Sequence, residues 1–529
     1  MKILNTLMIS SLTAAMWGYT GLVIGDDLSN KKSWPFAGQN LNNTRADSKS
    51  KITAENVSML ELKWEYITKG DVSATPTVDG DTVYIVDWGG WIHAVDATSG
   101  APKWSRSLPE ITGIPGVFSR TSPAITKDYL VLGLQRAGQV VMLDKLNGNL
   151  VWQTKVDDHN AALITQSPVV YNDKIYVGVS SNEEALAAFI PGYQCCTFRG
   201  SMLALDLGTG KILWKTYTVP EKSTNSTDKT SYSGNAVWGS TAAIDPKRNA
   251  VYFTTGNNYS IPETANTCIT NAGSNEDEAK KCLDPKNYFD SIISADLNTG
   301  KVNWVFKALI SDTWTVACLF EMPNCPENEG PDADFGQGPA LYTAKINGKQ
   351  TDLIGAGQKS GIYWALNRDS GQLVWSTEVG PGGVLGGLQW GSAVSDGRIY
   401  TALSNNEQKP YTLPDGSQAN GGGFAALDGS TGAKIWQISD PVSPHSVNIA
   451  PVSVANDVMF GCSMDNTQGP MYALDAKTGK ILWTFNSGAS CNSGASIVGN
   501  MVYWGSGYSN FGLGTGNNKV FAFGLPEKK

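Results

Sequence analysis

The sequence predicts an all-β protein, an eight-bladed β-propeller whose ring is closed by an N-terminal strand that pairs into the last blade. Three observations lead to this prediction. A turn motif ending in tryptophan recurs seven times, a pair of short β-rich runs recurs eight times, and one unmatched tryptophan, Trp64, precedes the first unit. Repetition of one unit along a chain is the signature of such radial architectures.

The turn motif has the form A-x-D-x-x-T-G-x-x-x-W. Each copy predicts an apolar strand, a tight turn built on Asp or Asn and Gly, and a short strand whose tryptophan packs on a neighbouring unit. The closing tryptophans are Trp104, Trp152, Trp214, Trp304, Trp375, Trp436 and Trp483.

Two β-rich runs around a polar turn precede each copy, as in QSPVVYNDKIYVG of the third unit. An eighth such pair, GASIVGNMVYWGSG, is followed by the strand KVFAFG but by no closing tryptophan. The strand LELKWEY, which contains Trp64, supplies the missing fourth strand. Closing the ring in this way removes the sheet edges that an open array would expose.

The loop lengths indicate which face of the propeller carries the function. In a blade of strands A to D, the A–B and C–D turns lie on one face, and the B–C and D–A connections lie on the other. The long insertions all fall in B–C or D–A connections, at residues 181–200, 216–235, 258–290, 308–336, 405–422 and 507–518. We expect the site on that face, because loops on a rigid scaffold carry binding and catalytic residues. Capping of the ring against solvent is the alternative.

The composition excludes several classes of protein. The 529 residues carry a net charge of −8, with 17% charged and 41% hydrophobic residues, which is typical of a folded chain. The acidic balance gives no basic stripe for nucleic acid. The three histidines, His93, His159 and His445, are far apart in the sequence, which argues against a histidine-built metal site.

The N-terminus predicts export. Residues 1–25 carry one cation, Lys2, followed by a mostly apolar stretch that predicts a signal peptide, with an uncleaved anchor as the alternative. No later apolar run approaches about 20 residues, so no transmembrane span is expected after it. Residues 26–529 are expected to form one periplasmic or secreted propeller domain. The eight cysteines favour disulfides, since neither C-x-x-C nor the haem motif C-x-x-C-H occurs.

The repeat, the segment WPFAGQNLNNTRADSKSKITAENVSMLELKW and the segment AVWGSTAAIDPKRNAVYFTTGNNYS together resemble the quinoprotein alcohol dehydrogenases. These propellers hold pyrroloquinoline quinone (PQQ) and a calcium ion on their axis. The resemblance runs from about Trp34 to Pro526, and the patterns FIPGYQCCTFRG and DADFGQGP are most similar to the polyvinyl alcohol dehydrogenase subgroup. A non-enzymatic scaffold propeller of the bacterial envelope is the alternative, because such proteins share the repeat.

The resemblance implies a PQQ- and calcium-dependent dehydrogenase of alcohols, secondary alcohols and polyvinyl alcohol among them. A separate cytochrome c or quinone would accept the electrons. Trp238 matches the tryptophan that stacks on PQQ, Arg120 the arginine that grips a carboxylate, and Lys359 the basic residue at the quinone oxygens. The cofactor-binding set implied is Arg120, Thr165, Ser180, Trp238, Lys359, Trp390, Cys195 and Cys196.

The resemblance also implies oxygen ligands for the metal. Asn257 matches the family's amide ligand, and Glu183 matches its glutamate, with the adjacent Glu184 as the alternative. Calcium prefers such hard oxygen ligands. A lanthanide would also fit if both Asp332 and Asp334 reach the metal.

The catalytic base requires a realignment, because the family's usual W-D is here Trp314-Thr315 and a threonine is no base. After an insertion, Asp332 and Asp334 offer the missing carboxylate. Asp334 is favoured as both base and metal ligand because it lies nearer the start of strand A of the fifth blade. Asp312 is expected to orient its loop instead.

Two further departures concern the cofactor pocket. Ser73 stands where the family often has a glutamate that contacts PQQ. The family closes a disulfide between adjacent cysteines above PQQ, but here Cys195 and Cys196 follow the glutamate instead of preceding it. They are therefore expected to pair either with each other or with separate partners. The other expected pairs are Cys268 with Cys282, Cys318 with Cys325, and Cys462 with Cys491.

Overall fold

A computed structural model describes residues 33–222, 228 and 230–526. The predicted signal peptide at residues 1–25 lies outside these ranges. The structure confirms the eight-bladed propeller: eight antiparallel four-stranded blades follow one another along the chain, and a short fifth strand extends three of them. The strand Glu61–Ile67 completes the eighth blade by pairing with Lys519–Gly524, and Trp64 lies opposite Ala522. The predicted ring closure is therefore confirmed.

Each blade consists of four short strands, A to D from the axis outward. Blades 1 to 4 contain Thr77–Asp79, Thr82–Val86, Trp91–Asp96, Pro102–Ser107; Ala124–Ile125, Tyr129–Leu134, Gln139–Asp144, Leu150–Lys155; Val169–Tyr171, Lys174–Ser181, Ser201–Asp206, Ile212–Tyr217; and Ala243–Asp245, Ala250–Thr254, Ser291–Asp296, Val302–Lys307. Blades 5 to 8 contain Ala340–Ile346, Lys349–Gly357, Ile362–Asn367, Leu373–Glu378; Ala393–Ser395, Arg398–Leu403, Gly423–Asp428, Lys434–Ser439; Ser453–Ala455, Val458–Cys462, Pro470–Asp475, Ile481–Asn486; and Ser496–Val498, Met501–Ser506, Lys519–Gly524, Glu61–Ile67.

The remaining elements lie mainly in the predicted insertions. The helices are Leu108–Thr112, Glu183–Phe189, Glu263–Ala272 and Glu276–Lys281, with 3₁₀ turns at Val57–Met59, Val316–Phe320 and Asn510–Gly512. Small additional strands occur at Ser33–Trp34, Ala46–Asp47, Ala162–Leu163, Ser233–Gly234, Asn258–Ser260, Tyr411–Thr412 and Gln418–Ala419. Within the described ranges, no helix is both long enough and apolar enough to cross a membrane.

The closing tryptophan of each motif joins its blade to the next part of the ring by a hydrogen bond. Trp214 donates from Nε1 to the carbonyl of Leu297 in the next blade at 3.0 Å. Gly300 has φ +69°, and a Cβ built on it would lie 2.5 Å from the Trp214 ring, so the motif glycine leaves room for the preceding blade's indole. The same bond joins Trp64 to Ala97, Trp104 to Lys145, Trp152 to Leu207, Trp304 to Arg368, Trp375 to Gly429, Trp436 to Ala476 and Trp483 to Leu60.

The hydrophobic core is divided among the interfaces between neighbouring blades. Tyr176 and Met202 of blade 3, for example, pack in one cluster with Val251, Phe253 and Ile293 of blade 4. Such face-to-face packing of adjacent sheets buries the apolar side chains of every strand. The alternation of half-buried and exposed positions in the fourth strand Leu150–Lys155 shows that this outermost strand faces water on one side.

The segment from Trp34 to Asp47 plugs the axis of the ring, which the sequence did not predict. Strand A is innermost in every blade, and its free edge carries N–H groups that need acceptors. Carbonyls of the segment accept from four of these edges: Pro35 from Ile125, Leu41 from Ile244, Asn42 from Leu341 and Thr44 from Val394. The segment then ends in a short parallel pairing of Ala46–Asp47 with Ser453–Ala455.

Candidate functional site

Carboxylic acids gather where the B–C and D–A connections of blades 3 to 5 meet. Each is buried or partly buried, and electrostatic coupling links them into one group. The members of this carboxylate cluster are Glu184, Asp290, Asp312, Asp332 and Asp334. The predicted convergence of distant insertions on one face therefore brings acidic groups together.

Lys359 is a buried cation in contact with two members of this cluster, Asp332 and Asp334. Its Nζ lies 2.9 Å from both carboxylate oxygens of Asp332 and 2.9 Å from Oδ2 of Asp334. Burial alone would lower the pKa of Lys359, but the neighbouring carboxylates of Asp332 and Asp334 raise it above its ordinary value. Lys359 is therefore protonated and offsets one of the negative charges.

Asp334 and Asn257 are joined directly. The backbone N–H of Asn257 donates to Asp334 Oδ1 at 2.6 Å. The side-chain amide of Asn257 donates from Nδ2 to the carbonyls of Asn258 and Trp314, at 3.0 and 2.8 Å. Because both amide protons are used in this way, the carbonyl oxygen Oδ1 of Asn257 is the atom left to act as a ligand.

Asp312 holds the loop that carries the two other aspartates. Its carboxylate accepts from the backbone N–H groups of Asp332 and Ala333, at 3.2 and 2.7 Å. The prediction that Asp312 orients this loop is confirmed. Burial raises the pKa of Asp312 to about 6, although the hydrogen bond from Ala333 opposes the rise.

Asp290 is fully buried, and its carboxyl group pairs with that of Asp312. No described N–H or hydroxyl group donates to its carboxyl oxygens. Burial, and then the negative charge of Asp312, raise its pKa well above the ordinary value. Asp290 shows no motif in the sequence, and only the fold brings it beside the predicted residues.

Glu184 faces the cluster, whereas Glu183 does not. Burial and the charge of Asp334 raise the pKa of Glu184 to about 7, and Lys359 opposes this rise. The carboxylate of Glu183 accepts instead from the backbone N–H groups of Thr197 and Phe198, at 2.9 and 2.8 Å. Glu183 therefore fixes the loop that follows the adjacent cysteines, and both of its carboxylate oxygens are already engaged by N–H donors.

A row of aromatic rings connects this cluster to Arg120. Lys359 Nζ lies 5.5 Å from the centroid of the Trp238 ring, and Trp238 meets Trp390 edge to face at 5.3 Å. The guanidinium of Arg120 lies 4.5 Å above the Trp390 ring. A Cβ at Gly336 would come within 2.8 Å of Trp238, so this glycine gives the indole its place beside the cluster.

Arg120 is surrounded by aromatic rings, and no described carboxylate forms an ion pair with it. Trp88 lies 5.1 Å from the guanidinium carbon on one side, and the hydroxyl of Tyr508 accepts from Nη2 at 3.2 Å. Ser73 accepts from the indole N–H of Trp88 at 2.8 Å and so orients that ring. Sequence reasoning missed Trp88 and Tyr508, which lie outside the repeated motifs.

A small axial cavity opens beside Arg120. Thr165 and Trp390 line its wall, and the floor is formed by Ala37 and Arg45 of the N-terminal plug. Arg45 is 2% exposed, and its Nε donates to the Val452 carbonyl at 2.8 Å. Burial lowers its pKa to about 9, so it is charged at neutral pH. Two arginines without described ion pairs therefore face one cavity, and sequence reasoning missed Arg45.

The cysteines pair as follows. The expected disulfides Cys268–Cys282, Cys318–Cys325 and Cys462–Cys491 are all present. Cys195 and Cys196 are bonded to each other, which decides the alternative that the sequence left open. Both pack in the same hydrophobic cluster as Trp238.

The structure thus joins most of the predicted residues into one site, from Arg120 through Trp390, Trp238 and Lys359 to Asp332, Asp334 and Asn257. Ser180 is buried in strand B of blade 3, opposite Leu163, and no described hydrogen bond links its side chain to this site.

These residues fit a planar polycarboxylate and a cation. The indole Nε1 of Trp390 is a buried donor with no described partner, and it lines the cavity beside Arg120. An anionic ligand with carbonyl or carboxylate oxygens would satisfy both groups. The cluster brings five carboxylic acids together beside Asn257 Oδ1, and such hard oxygen ligands are the ones that Ca²⁺ prefers.

Comparison with known proteins identifies the family of the chain. Residues 34–384 match the family model of the PQQ-type glucose/ethanol/alcohol dehydrogenase β-propeller domain, and residues 358–523 match that of the outer membrane protein assembly factor BamB. The chain is 30% identical over 513 residues to a polyvinylalcohol dehydrogenase of a Pseudomonas species, covering 91% of this chain and 74% of that protein. It is 29% identical to the polyvinylalcohol dehydrogenase of Sphingopyxis sp. strain 113P3, covering 95% and 78%.

Solved structures share the fold. The quinohemoprotein alcohol dehydrogenase of Comamonas testosteroni superposes with a TM-score of 0.69 at 20% identity, over 96% of this chain and 83% of that one. A europium-containing methanol dehydrogenase gives a TM-score of 0.68 at 19% identity, over 94% and 99%. Because the family model covers more than half of the chain, the protein belongs to the PQQ-type glucose/ethanol/alcohol dehydrogenase β-propeller family and is a PQQ-dependent alcohol dehydrogenase.

Proposed function

We propose that this dehydrogenase oxidises secondary alcohols, including those of polyvinyl alcohol, to ketones with the help of a bound cation. The observation that carries the proposal is the juxtaposition of two unlike regions within one site. Three acids of the carboxylate cluster, Glu184, Asp332 and Asp334, act on Lys359, and a row of aromatic rings links this group to Arg120, a cation without a described carboxylate partner. The two polyvinylalcohol dehydrogenases, at 30% and 29% identity, support the substrate class.

The cation site consists of Glu184, Asn257 Oδ1 and Asp334, with Asp332 as a further carboxylate. Calcium suits such hard oxygen ligands, and a lanthanide suits a site with the extra negative charge of Asp332. Glu183 is not included, because its carboxylate already accepts hydrogen bonds from Thr197 and Phe198. A relative named lanthanide-dependent methanol dehydrogenase, 23% identical over 564 residues, supports testing both metals.

The cofactor site consists of the aromatic row and the axial cavity. Trp238 and Trp390 offer flat surfaces, Arg120 and Thr165 offer donors for carboxylates, and the disulfide of Cys195 and Cys196 packs in the same hydrophobic cluster as Trp238. When bound, PQQ supplies a quinone that accepts the two electrons of the alcohol. The protein's own contribution is to orient the cofactor, to exclude water and to remove the hydroxyl proton.

Asp334 is the proposed base for that proton. An alcohol has a pKa far above 7, so a carboxylate close to the hydroxyl is required to accept its proton during oxidation. Asp332 is held by Lys359 through both oxygens, and burial raises its pKa well above the ordinary value despite the charge of Lys359. Asp334 contacts Lys359 through Oδ2 only, and its Oδ1 accepts from the backbone N–H of Asn257, so this carboxylate lies directly beside the proposed ligand Asn257.

A separate cytochrome c or quinone would reoxidise the reduced cofactor, since the sequence carries no haem-attachment motif. The apolar N-terminus and the four disulfides support a periplasmic or secreted location.

Reconstitution tests the proposal. PQQ-free, metal-free protein is titrated with PQQ in the presence of Ca²⁺ or La³⁺, and binding is followed by the absorbance of the quinone. Dye-linked oxidation of a secondary alcohol is measured on the same samples. We expect both binding and turnover to require PQQ together with a cation. Full activity in stringently PQQ-free protein, or tight PQQ binding without turnover of any alcohol, would refute it, the second result favouring the scaffold alternative.

A further inference from the structure

Large apolar side chains are exposed on the rim beside the site. They come from the end of the helix Glu183–Phe189 and from the 3₁₀ turn Val316–Phe320 with the residues that follow each element. We call this set the rim patch: its members are Phe189 (62% exposed), Ile190 (48%), Leu319 (56%), Phe320 (52%) and Met322 (39%). Isolated exposed apolar residues are ordinary, but a contiguous group of this kind marks a binding surface.

The rim patch is continuous with the carboxylate cluster. The helix Glu183–Phe189 carries Glu184 of the cluster in its first turn and ends at Phe189, and seven residues of helix span about 10 Å. The turn Val316–Phe320 begins two residues after Trp314, whose carbonyl accepts from Asn257. Both elements therefore lead from the reacting centre outward to the patch.

The patch is preformed. Phe189 and Phe320 contact each other edge to face, with ring centroids 5.7 Å apart. The amide of Asn324 donates to the carbonyls of Ala187 and Tyr193, at 2.9 and 3.1 Å, and so ties the two insertions together. The disulfide Cys318–Cys325 closes the second insertion around the turn. A surface held in this way loses little conformational entropy on binding a ligand.

We propose that the rim patch binds the hydrocarbon backbone of a hydroxylated polymer on either side of the unit being oxidised. This inference rests on the proposed function and adds a polymer subsite to it. Glu321 is the only charged residue at positions 189–194 and 319–324, so the surface matches an uncharged chain. A basic protein partner would need a ring of carboxylates around the contact. The methylene groups of a polyol pack on the phenylalanine rings while its hydroxyls face water.

Substrate length provides the test. Phe189→Ser, Phe320→Ser and the double variant are loaded with PQQ and cation, and kcat/KM is measured by dye reduction for polyvinyl alcohol and for propan-2-ol. Leu146→Ser is the matched control, because Leu146 is 84% exposed in the C–D turn of blade 2, on the opposite face. We expect the double variant to lose about 10-fold in kcat/KM for the polymer, through KM, from the apolar contact removed. Turnover of propan-2-ol should change less than about 2-fold.

A binding measurement separates affinity from catalysis. Retention of each protein on immobilised polyvinyl alcohol, without dye, should fall for the double variant and stay unchanged for Leu146→Ser. Equal losses for polymer and propan-2-ol, or unchanged polymer kinetics, would overturn the inference. So would a defect seen only when cytochrome c replaces the dye, because the patch would then dock the acceptor. If the wild type oxidises no alcohol at all, the proposed function fails, and the retention assay still decides whether the patch binds polymer.

Discussion

Glu183 and Glu184 are adjacent in the chain, yet their carboxyl groups lie in different environments. Glu183 accepts from the backbone N–H groups of Thr197 and Phe198, whereas Glu184 lies within the electrostatic reach of Asp334 and Lys359. The helix Glu183–Phe189 begins with this pair, so their consecutive side chains diverge by about 100° around its axis. One carboxylate is thus available to a cation and the other is part of the scaffold.

The first prediction separates these two roles. Glu184→Gln should raise the cation concentration needed for half-maximal dye-linked activity by about 10-fold or more, since a charged ligand becomes neutral. Its thermal midpoint without metal should stay close to the wild-type value. Glu183→Gln removes an acceptor of buried N–H groups and should lower the free energy of unfolding by about 1–3 kcal/mol. Thermal denaturation and metal titration measure the two effects, and the reverse pattern would return the ligand role to Glu183.

The second prediction concerns the base. Asp334→Asn should fold and bind PQQ while kcat falls by roughly 10² or more, the scale of general-base loss. Asp332→Asn should retain more of kcat and mainly alter the choice between Ca²⁺ and La³⁺. The measurement is kcat at saturating PQQ with each metal. Near-normal turnover in Asp334→Asn together with an inactive Asp332→Asn would show that Asp332 is the base.

The third prediction concerns the axial plug. Arg45→Met keeps much of the side-chain volume but leaves the carbonyls of Ala37 and Val452 without their donor. We expect a loss of about 2–4 kcal/mol in the free energy of unfolding, because buried acceptors are left unpaired. PQQ affinity should fall as well, since one of two cations at the cavity is removed. Lys349→Met, at an exposed lysine in the A–B hairpin of blade 5, is the control and should change neither quantity.

The fourth prediction concerns the packing of Trp214 of blade 3 on Gly300 of blade 4. Gly300→Ala places a methyl group against the Trp214 ring as well as straining a backbone at φ +69°. Gly348→Ala has a similar φ of +79°, but its Cβ meets no atom within 4 Å. Gly300→Ala should therefore destabilise the protein by about 2 kcal/mol more than Gly348→Ala, the scale of overpacking. Equal thermal midpoints for the two variants would contradict this, because the Trp214 ring would then accommodate the methyl group without loss of stability.

Much of this molecule was predictable from sequence because the residues of each repeat interact within one blade or with the neighbouring blade. The motif glycine, the turn aspartate and the closing tryptophan each act within one blade or on the next, so the eight blades and the ring closure through Trp64 follow from pattern alone. The resemblance of Arg120, Trp238 and Lys359 to a known pocket located most of the site in the same way.

The rest depended on tertiary structure, because it depends on contacts between residues far apart in the chain. Asp290 carries no motif and joins the carboxylate cluster only through the packing of blade 4. Arg45 lies in a segment without repeat character, and only the closed ring reveals that it forms the floor of the axial cavity. The sequence by itself determined which residue types surround the axis. The direction of each side chain, Glu184 toward the cluster and Glu183 away from it, was decided by hydrogen bonds that form only in the folded ring.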